Sequence, residues 1–573
     1  GADRLLHLLA PVVALVPAIL LFAVLPFGRH MIAADLNVGL LYFFLELGLF
    51  LLLVLFVINH WSRRYVLSGG SYSLRAITDI IIPTKGEPAR MLERTVKAAR
   101  AISNPNIRIY IVDDANKKSI KRIAKKYSCD YLVRPNRKTK AYKAAALNYA
   151  FKHSYGNFIL VLDADHRVKA SILDDLLGHF KYPKIAFVAT RQGFEVNAKD
   201  FNHDHLFYEY MQPGKNTEGA AISCGSGVIY RRSAIAKIGG FSEWNIVEDL
   251  HTSYVLNCHG LKGLYISQPY TIGEAPTDLK VIYKQRGIWA IDSLRLILWQ
   301  MPLFNRALTV AQRLHYMEMG YIYLVGGLIL PAVFFLNFYA LIFNVTIVTA
   351  GLWYIVFKLP SFYFTLKLYD ELGQGSSSSR MWAALFPLYL RSIFLALFYK
   401  KPAYTVTKKA NTSSPKRRVN LVFPQMFTIG CGVVSLIYHL VTFQVTQLLV
   451  VNFFWFGVMI YWLWPVFPKA FALTSSQVSA ILSRYMIIGV FFLVGLFVGF
   501  TTVGSLKEAF ATEISPATTI SFVEDYTSLF CPEGKLFTPS SSSFSLTSIC
   551  TADRFVLGDQ FTLYAKENTY CRR

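Results

Sequence analysis

Cysteine and acid are both scarce in this chain. Its 573 residues include seven cysteines and no Cys-x-x-Cys pair, so zinc-ligand spacing is absent. Cys129, Cys224 and Cys258 fall in a polar middle region, Cys431 in an apolar run, and Cys531, Cys550 and Cys571 in a polar tail. Only 35 acidic residues stand against 59 basic ones, a formal net charge of +24. Such an excess fits nucleic acid, a membrane surface or an anionic substrate. No nucleic-acid motif is present, and the basic residues cluster beside apolar runs. That clustering is the signature of the positive-inside effect, and no nucleic-acid partner is expected.

Apolar residues are plentiful, at 54% of the chain, with a mean hydropathy of +0.37. Several runs approach or exceed the length that spans a bilayer, which reads as an integral membrane protein. A first span is expected from Leu8 to Phe27 and a second from Val38 to Ile58. The second ends in "NHWSRRYVL", an interfacial Trp-Arg-Arg anchor that puts the following segment on the cytoplasmic side. One buried helical hairpin of a soluble protein is the plain alternative for this pair.

From Ser71 to Leu303 the composition is that of a soluble α/β domain. Short apolar runs ("DIIIP", "IRIYIVDD", "FILVLDAD", "IAFVAT") alternate with helix-like segments such as "MLERTVKAARAI". The pattern predicts a parallel sheet with crossover helices. Spans resume at Tyr321 to Phe343 and Val345 to Leu366. Next, "SSSSRMWAALFPLYLRSIFLALFYKK" reads as an amphipathic interfacial helix, a further span being the alternative. Spans follow at Leu421 to Val441, Leu448 to Val466 and Ile487 to Val503. The expected division is 1–70, 71–303, 304–503 and 504–573, the last an external Ser/Thr-rich tail. Outside the cell, its three cysteines would permit one disulfide and leave one thiol over.

Two strand ends carry acids. "YIVDD" closes on Asp113 and Asp114, and "LVLDAD" on Asp163 and Asp165. In open parallel sheets ligands sit outside the carboxyl ends of the strands. The spacing Asp163-Ala164-Asp165 puts both carboxylates on one side of an extended segment. Paired acids at one edge suit a hard divalent ion that carries a diphosphate; a solvated acidic turn is the alternative. Between Lys117 and Lys143 stand eleven Lys or Arg and one acid, Asp130, most of them a solvated face. Lys143, however, opens an apolar helical run, where a lysine suits a phosphate. Glu248 and Asp249 also open a helix. They read either as a general base or as ordinary charges matching the helix dipole.

In order, "IIPTKGEP", "VDDAN", "LDADH", "SCGS", "VEDLHT", "KQRGIW" and "AYTVTKK" resemble the motifs of the processive family-2 glycosyltransferases, above all the catalytic subunit of bacterial cellulose synthase. The likeness runs from Thr78 to Lys409 and includes "NRALTVAQRLHYM". It implies a glycosyltransferase-A type α/β domain inserted in an α-helical multi-span membrane domain. It also implies roles. Thr84, Glu87 and Asp113 would lie by the uridine. Lys143, Asp163 and Gln285 would contact the donor. Asp165, with Asp163 and His166 nearby, would hold Mg²⁺ or Mn²⁺. Asp249 would be the base beside Glu248. Cys224, Gly225 and Trp289 would form the acceptor site. Tyr404, Val406, Thr407 and Lys408 would belong to a gating loop.

Three motifs depart from the family pattern. Thr-Glu-Asp is Val247-Glu248-Asp249. Ala144-Ala145-Ala146-Leu147 replaces Ala-Gly-Asn-Leu. Ile288 stands where Gln-x-x-Arg-Trp has its arginine, and Arg286, two positions away, is expected to face elsewhere. Separately, the first 45 or so residues resemble the quinone-site membrane component of respiratory complex I and read as a borrowed hairpin without redox function.

The expected activity is an inverting synthase that polymerises a β-linked glucan from UDP-glucose and exports it through its own channel in the plasma (inner) membrane. The UDP-sugar, the growing polysaccharide, the bilayer and an accessory export subunit are its implied partners. A non-processive transferase to a lipid carrier and a catalytically degenerate membrane protein are the competing readings.

Overall fold

The computed structural model describes residues 36–67, 76–138, 142–196, 200–345, 377–398 and 417–473, with isolated residues and a short strand pair elsewhere. Nearly all of the expected spans at 8–27 and 345–366, that at 487–503, the gating-loop residues Tyr404, Val406, Thr407 and Lys408, and most of the tail lie outside the described residues.

Eight strands form one sheet: β1 (Thr78–Thr84), β2 (Ile107–Asp113), β3 (Asp130–Leu132), β4 (Phe158–Val161), β5 (Arg167–Val168), β6 (Ile185–Phe194), β7 (Val228–Arg231) and β8 (Lys262–Gly273). Their order is β3-β2-β1-β4-β7-β6-β8-β5. Strands β3, β2, β1 and β4 are parallel, as the alternation of short strands and helices predicts. The expectation of a uniformly parallel sheet is corrected further along. Strand β7 runs antiparallel to both β4 and β6, and β5 is antiparallel to β8. The cause is local. The chain turns at Cys224–Gly227, against the end of β4, where the Gly227 N–H donates to the Val161 carbonyl. A strand entered from that edge must run back along β4.

Strand periodicity builds a core on each face. Ile80 and Ile82 pack with Leu92, Val96 and Ile120 on one side. Ile81 packs with Leu147, Ala150 and Val161 on the other. Successive side chains point to opposite faces, so an unbroken apolar run marks a strand buried on both. Helices α1 (Leu36–Ser62), α2 (Ala89–Arg100), α3 (Lys118–Lys126) and α4 (Lys143–His153) precede α5 (Gln212–Thr217), α6 (Glu248–Cys258) and α7 (Leu279–Arg295).

Among the described residues, three helices are long and apolar enough to cross a membrane: Val38–Ser62 within α1, Val310–Phe343 (α8) and Val419–Phe443. The segment expected as one interfacial helix is two, α9 (Ser377–Ala384) and α10 (Phe386–Leu397), broken at Leu385 where Pro387 follows in the first turn of α10. Proline has no N–H to continue a helix ladder. Helices α11 (Phe423–Phe443), α12 (Gln447–Leu463) and α13 (Val466–Phe471) follow.

Helix α1 is built into the domain. Its Leu52, Phe56 and Val57 pack with Tyr210, Met211, Ile322 and Val325. Asn59 donates to Glu318 on α8 at 2.5 Å. Lys215 on α5 donates to the same carboxylate oxygen and to the His315 carbonyl, both at 2.6 Å. A buried charge of this kind is tolerated only with partners.

Candidate active site

The carboxyl ends of β1 and β4, the starts of α4 and α6 and the middle of α7 surround a cavity of about 560 Å³. Its walls include Thr84, Glu87, Lys143, Asp163, Asp165, Cys224, Gly225, Glu248, Asp249, Gln285 and Trp289, and it extends to Met319, Ile322 and Tyr323 of α8 and Tyr389 of α10. Residues expected from distant stretches of sequence thus share one space. Asp113 is not among the lining residues. Its carboxylate accepts the N–H groups of Ala115 and Lys117 and the Tyr131 hydroxyl, tying down its own loop. Asp114 does line the cavity, and the buried Arg134 holds it through two bonds of 2.7 and 2.5 Å.

At the end of β1, Glu87 accepts the Thr84 hydroxyl at 2.7 Å and the Lys85 N–H at 2.6 Å. At the end of β4 the chain turns sharply, the His166 N–H donating to the Asp163 carbonyl. That turn gathers Asp163, Asp165 and His166, whose donor atoms all lie within 4.8 Å of one another. Two carboxylates and an imidazole suit Mg²⁺ or Mn²⁺, hard ions that prefer oxygen.

Lys143, the first residue of α4, donates to the Gly225 carbonyl at 2.7 Å. The same ammonium lies 2.7 Å from Asp163 and 3.1 Å from Glu248. Burial alone would lower its pKa, but Asp163 and Glu248 outweigh that and hold it well above its ordinary value. Burial raises Glu248, with Lys143 opposing. Asp249 is pushed up to about 7, first by burial and then by the Glu248 charge, against the pull of Lys143. A carboxyl poised near neutrality is suited to proton transfer.

The loop facing Asp249 needs its glycine. Gly225 has φ +74°, and a β-carbon there would come within 2.9 Å of the Asp249 Oδ2. Cys224 is left-handed as well, at φ 63°. Gln192, at the end of β6, holds the loop by donating to the carbonyls of Cys224 (2.7 Å) and Ser226 (3.0 Å). Ser226 in turn accepts the Asp163 N–H at 2.9 Å. Nothing in the sequence around Gln192 announces this role, since it depends on β6 lying beside β7.

On α7, Gln285, Ile288 and Trp289 share one face by helical spacing and line the cavity together. Arg286 lines it too, which corrects the expectation that it faces elsewhere. Its long arm carries the guanidinium across the Trp289 ring, 4.7 Å from the centroid, to Asp204. Asp204 carried no signal in the sequence.

Two stretches of the chain match known families. Residues 79–239 match the family model described as Glycosyl transferase family 2. Residues 1–82 match one described as NADH dehydrogenase, so that likeness extends past the first 45 residues, through α1 and into β1. The chain is 27% identical over 390 residues to the cellulose synthase 1 catalytic subunit (UDP-forming) of Komagataeibacter xylinus, covering 63% of this chain and 52% of that protein. It is 32% identical over 251 residues to the cellulose synthase catalytic subunit (UDP-forming) of Pseudomonas fluorescens, covering 42% of this chain and 34% of that protein. The chain therefore spans about a third to a half of the length of these relatives. Among solved structures, the mannosyltransferase PcManGT of Pyrobaculum calidifontis aligns over 64% of this chain and 100% of its own, with a TM-score of 0.49 and 16% identity, too low to equate the two folds.

Proposed function

We propose that this chain is a membrane-embedded, inverting glycosyltransferase that extends a β-linked glucan from UDP-glucose and feeds the product between its own helices. The observation that carries the reading is the meeting of Asp163, Asp165 and His166, Lys143 and Asp249 in one cavity that continues past Trp289 to α8 and α10. The similarity to relatives named as UDP-forming cellulose synthase subunits supports a UDP-sugar donor and a cellulose-like product.

In this reading Asp249 takes the proton from the acceptor hydroxyl, which attacks the anomeric carbon opposite the nucleotide. An α-linked donor then yields a β-linkage. Lys143 stabilises the charge that develops on the departing diphosphate. Asp163, Asp165 and His166 would hold Mg²⁺ or Mn²⁺, which supplies further positive charge at that diphosphate. Thr84 and Glu87 sit at the nucleoside end. Trp289 offers an aromatic face to the acceptor sugar, with Cys224 and Gly225 beside the base.

The domain around the sheet is cytoplasmic in this scheme, the apolar helices cross the plasma membrane, and the tail after residue 504 is external. Exposed Phe44 and Leu51 on α1 and Phe427 and Ile437 on α11 would face lipid. An accessory export subunit would receive the polymer outside. A tethering of the nucleoside by Asp113 and closure by the loop at Tyr404–Lys408 belong to the same proposal.

The degenerate-enzyme reading has one observation in its favour: Ile288 lines the cavity where the family pattern carries a cation. Purified protein in lipid nanodiscs, given radiolabelled UDP-glucose with Mg²⁺ or Mn²⁺, should incorporate label into a polymer that linkage-specific β-glucanases digest. Asp165→Ala should abolish incorporation without unfolding the protein. Label transferred equally well in excess EDTA would remove the metal from the scheme, and no transfer from any nucleotide sugar would favour the degenerate reading.

A further inference from the structure

The wall beside Trp289 contains a charged pair that the proposed chemistry does not use. Arg286 Nη1 donates to Asp204 Oδ1 at 2.5 Å, and both side chains are 13% exposed. The guanidinium lies 4.7 Å from the Trp289 centroid and 5.5 Å from that of Phe201. One planar cation thus contacts two aromatic rings and a carboxylate.

The carboxylate is itself held in place. Phe201–His203 forms a single 3₁₀ turn, with the Asp200 side chain accepting the Asn202 N–H. Asp204 closes this turn in the left-handed region at φ 49°, a conformation that aspartate tolerates better than most residues. Its carbonyl accepts the N–H groups of Phe207 and Tyr208. Phe201 is held from its other neighbours as well, with Lys469 of α13 4.9 Å from its centroid and 3.6 Å from Asp200.

We infer that the Asp204–Arg286 pair, with Phe201, is a positioning clamp that fixes the Trp289 ring as a platform for an uncharged sugar acceptor. This deepens the proposed function and rests on its placing of the acceptor at Trp289. A tryptophan at a cavity wall can turn about its side-chain torsions, and a platform that turns loses stacking. A guanidinium lies flat on a ring and bonds a carboxylate in its own plane at the same time, which an ammonium does not. Pairing with Asp204 also cancels the charge, so the wall beside the ring presents no net charge to the sugar. Arg286 is thereby committed and does not replace the cation missing at position 288.

Two binding measurements on the full chain in nanodiscs test this without requiring turnover. Cellohexaose serves as the acceptor probe and UDP with Mg²⁺ as the donor probe, both by calorimetry. In Arg286→Lys and in Asp204→Asn, cellohexaose affinity should fall at least about tenfold while UDP affinity moves less than about twofold. Phe201→Leu leaves the ion pair in place and should show the same split, smaller in size, should either polar variant fail to fold. Equal losses for both probes would mean a general structural role. Unchanged cellohexaose affinity, or none in the wild type, would also overturn the clamp. Absence of sugar transfer by a wild type that still shows the split would instead sink the proposed function alone.

Discussion

Two positions in the cavity decide what single residues can be asked to do. Asp249 has its ordinary pKa of 3.8 raised to about 7. Between those values the unfolded chain has lost this proton and the folded chain keeps it, so stability falls as pH rises through that window. Asp249→Asn removes the penalty. In the absence of donor and metal, the melting temperature of this variant should exceed that of the wild type at pH 8, and the gap should close toward pH 4. The same variant should lower turnover at least about a hundredfold, since the amide accepts no proton. Loss of stability at both pH values would show that Asp249 is a structural charge at the helix start. Ile288→Arg addresses the missing cation. A charge-assisted bond to the diphosphate is worth about 1.5–3 kcal/mol, so the donor KM should fall roughly ten- to a hundredfold. A wild-type KM already equal to the variant's would mean that another residue holds the diphosphate.

At the scale of elements, the starts of α4 and α6 matter most, because they aim Lys143, Glu248 and Asp249 at one point. Helix α6 begins poorly. Val247 occupies its N-cap with φ −81° and ψ 88° and offers no side-chain bond. What holds the start instead is the Val247 N–H donating to the Asp292 carboxylate at 2.6 Å, a contact that only the packing of α7 beside α6 creates. Val247→Thr would add a capping hydroxyl of nearly the same size. It should stabilise the protein by about 1 kcal/mol in denaturant unfolding, with turnover unchanged or higher. A destabilised variant would show that the methyl group it replaces packs more tightly than the cap bonds. The helix starts themselves were legible in the sequence, because acids or a lysine stood just ahead of apolar runs. The break between α9 and α10 was legible only as Pro387, and its effect on the helix was not foreseen.

On the scale of the whole molecule, helix α1 is a working part of the scaffold. Asn59, Glu318 and Lys215 join α1, α8 and α5, and α5 leads through Gln212, bonded to both the N–H and the carbonyl of Ile222, into the Cys224 loop. Glu318→Gln leaves the buried Lys215 charge without its counterion. Breaking a buried pair this way costs roughly 3–5 kcal/mol, which should appear as a large drop in thermal stability. Glu318→Leu combined with Lys215→Met should recover much of that loss. If the double variant is no better than the single one, the hydrogen bonds of Asn59 and the His315 carbonyl matter more than the ion pair.

Much of the site could be read from the chain alone, for a simple reason. A strand that ends in acids and a helix that opens with a charge are local patterns, set by the periods of two and 3.6 residues and by the needs of helix ends. Asp163, Asp165, Lys143, Glu248 and Asp249 were legible in that way, as were the parallel strands β2, β1 and β4. The tertiary structure decided what depends on neighbours distant in sequence. It turned β7 against β4, because the loop that faces Asp249 re-enters the sheet from the cavity edge. It spent Asp113 on its own loop and brought Asp114 to the wall with Arg134. It also set Asp204 against Arg286 across 82 residues, a pairing that no periodicity encodes, since it exists only where a left-handed turn and a long helical side chain meet at one wall.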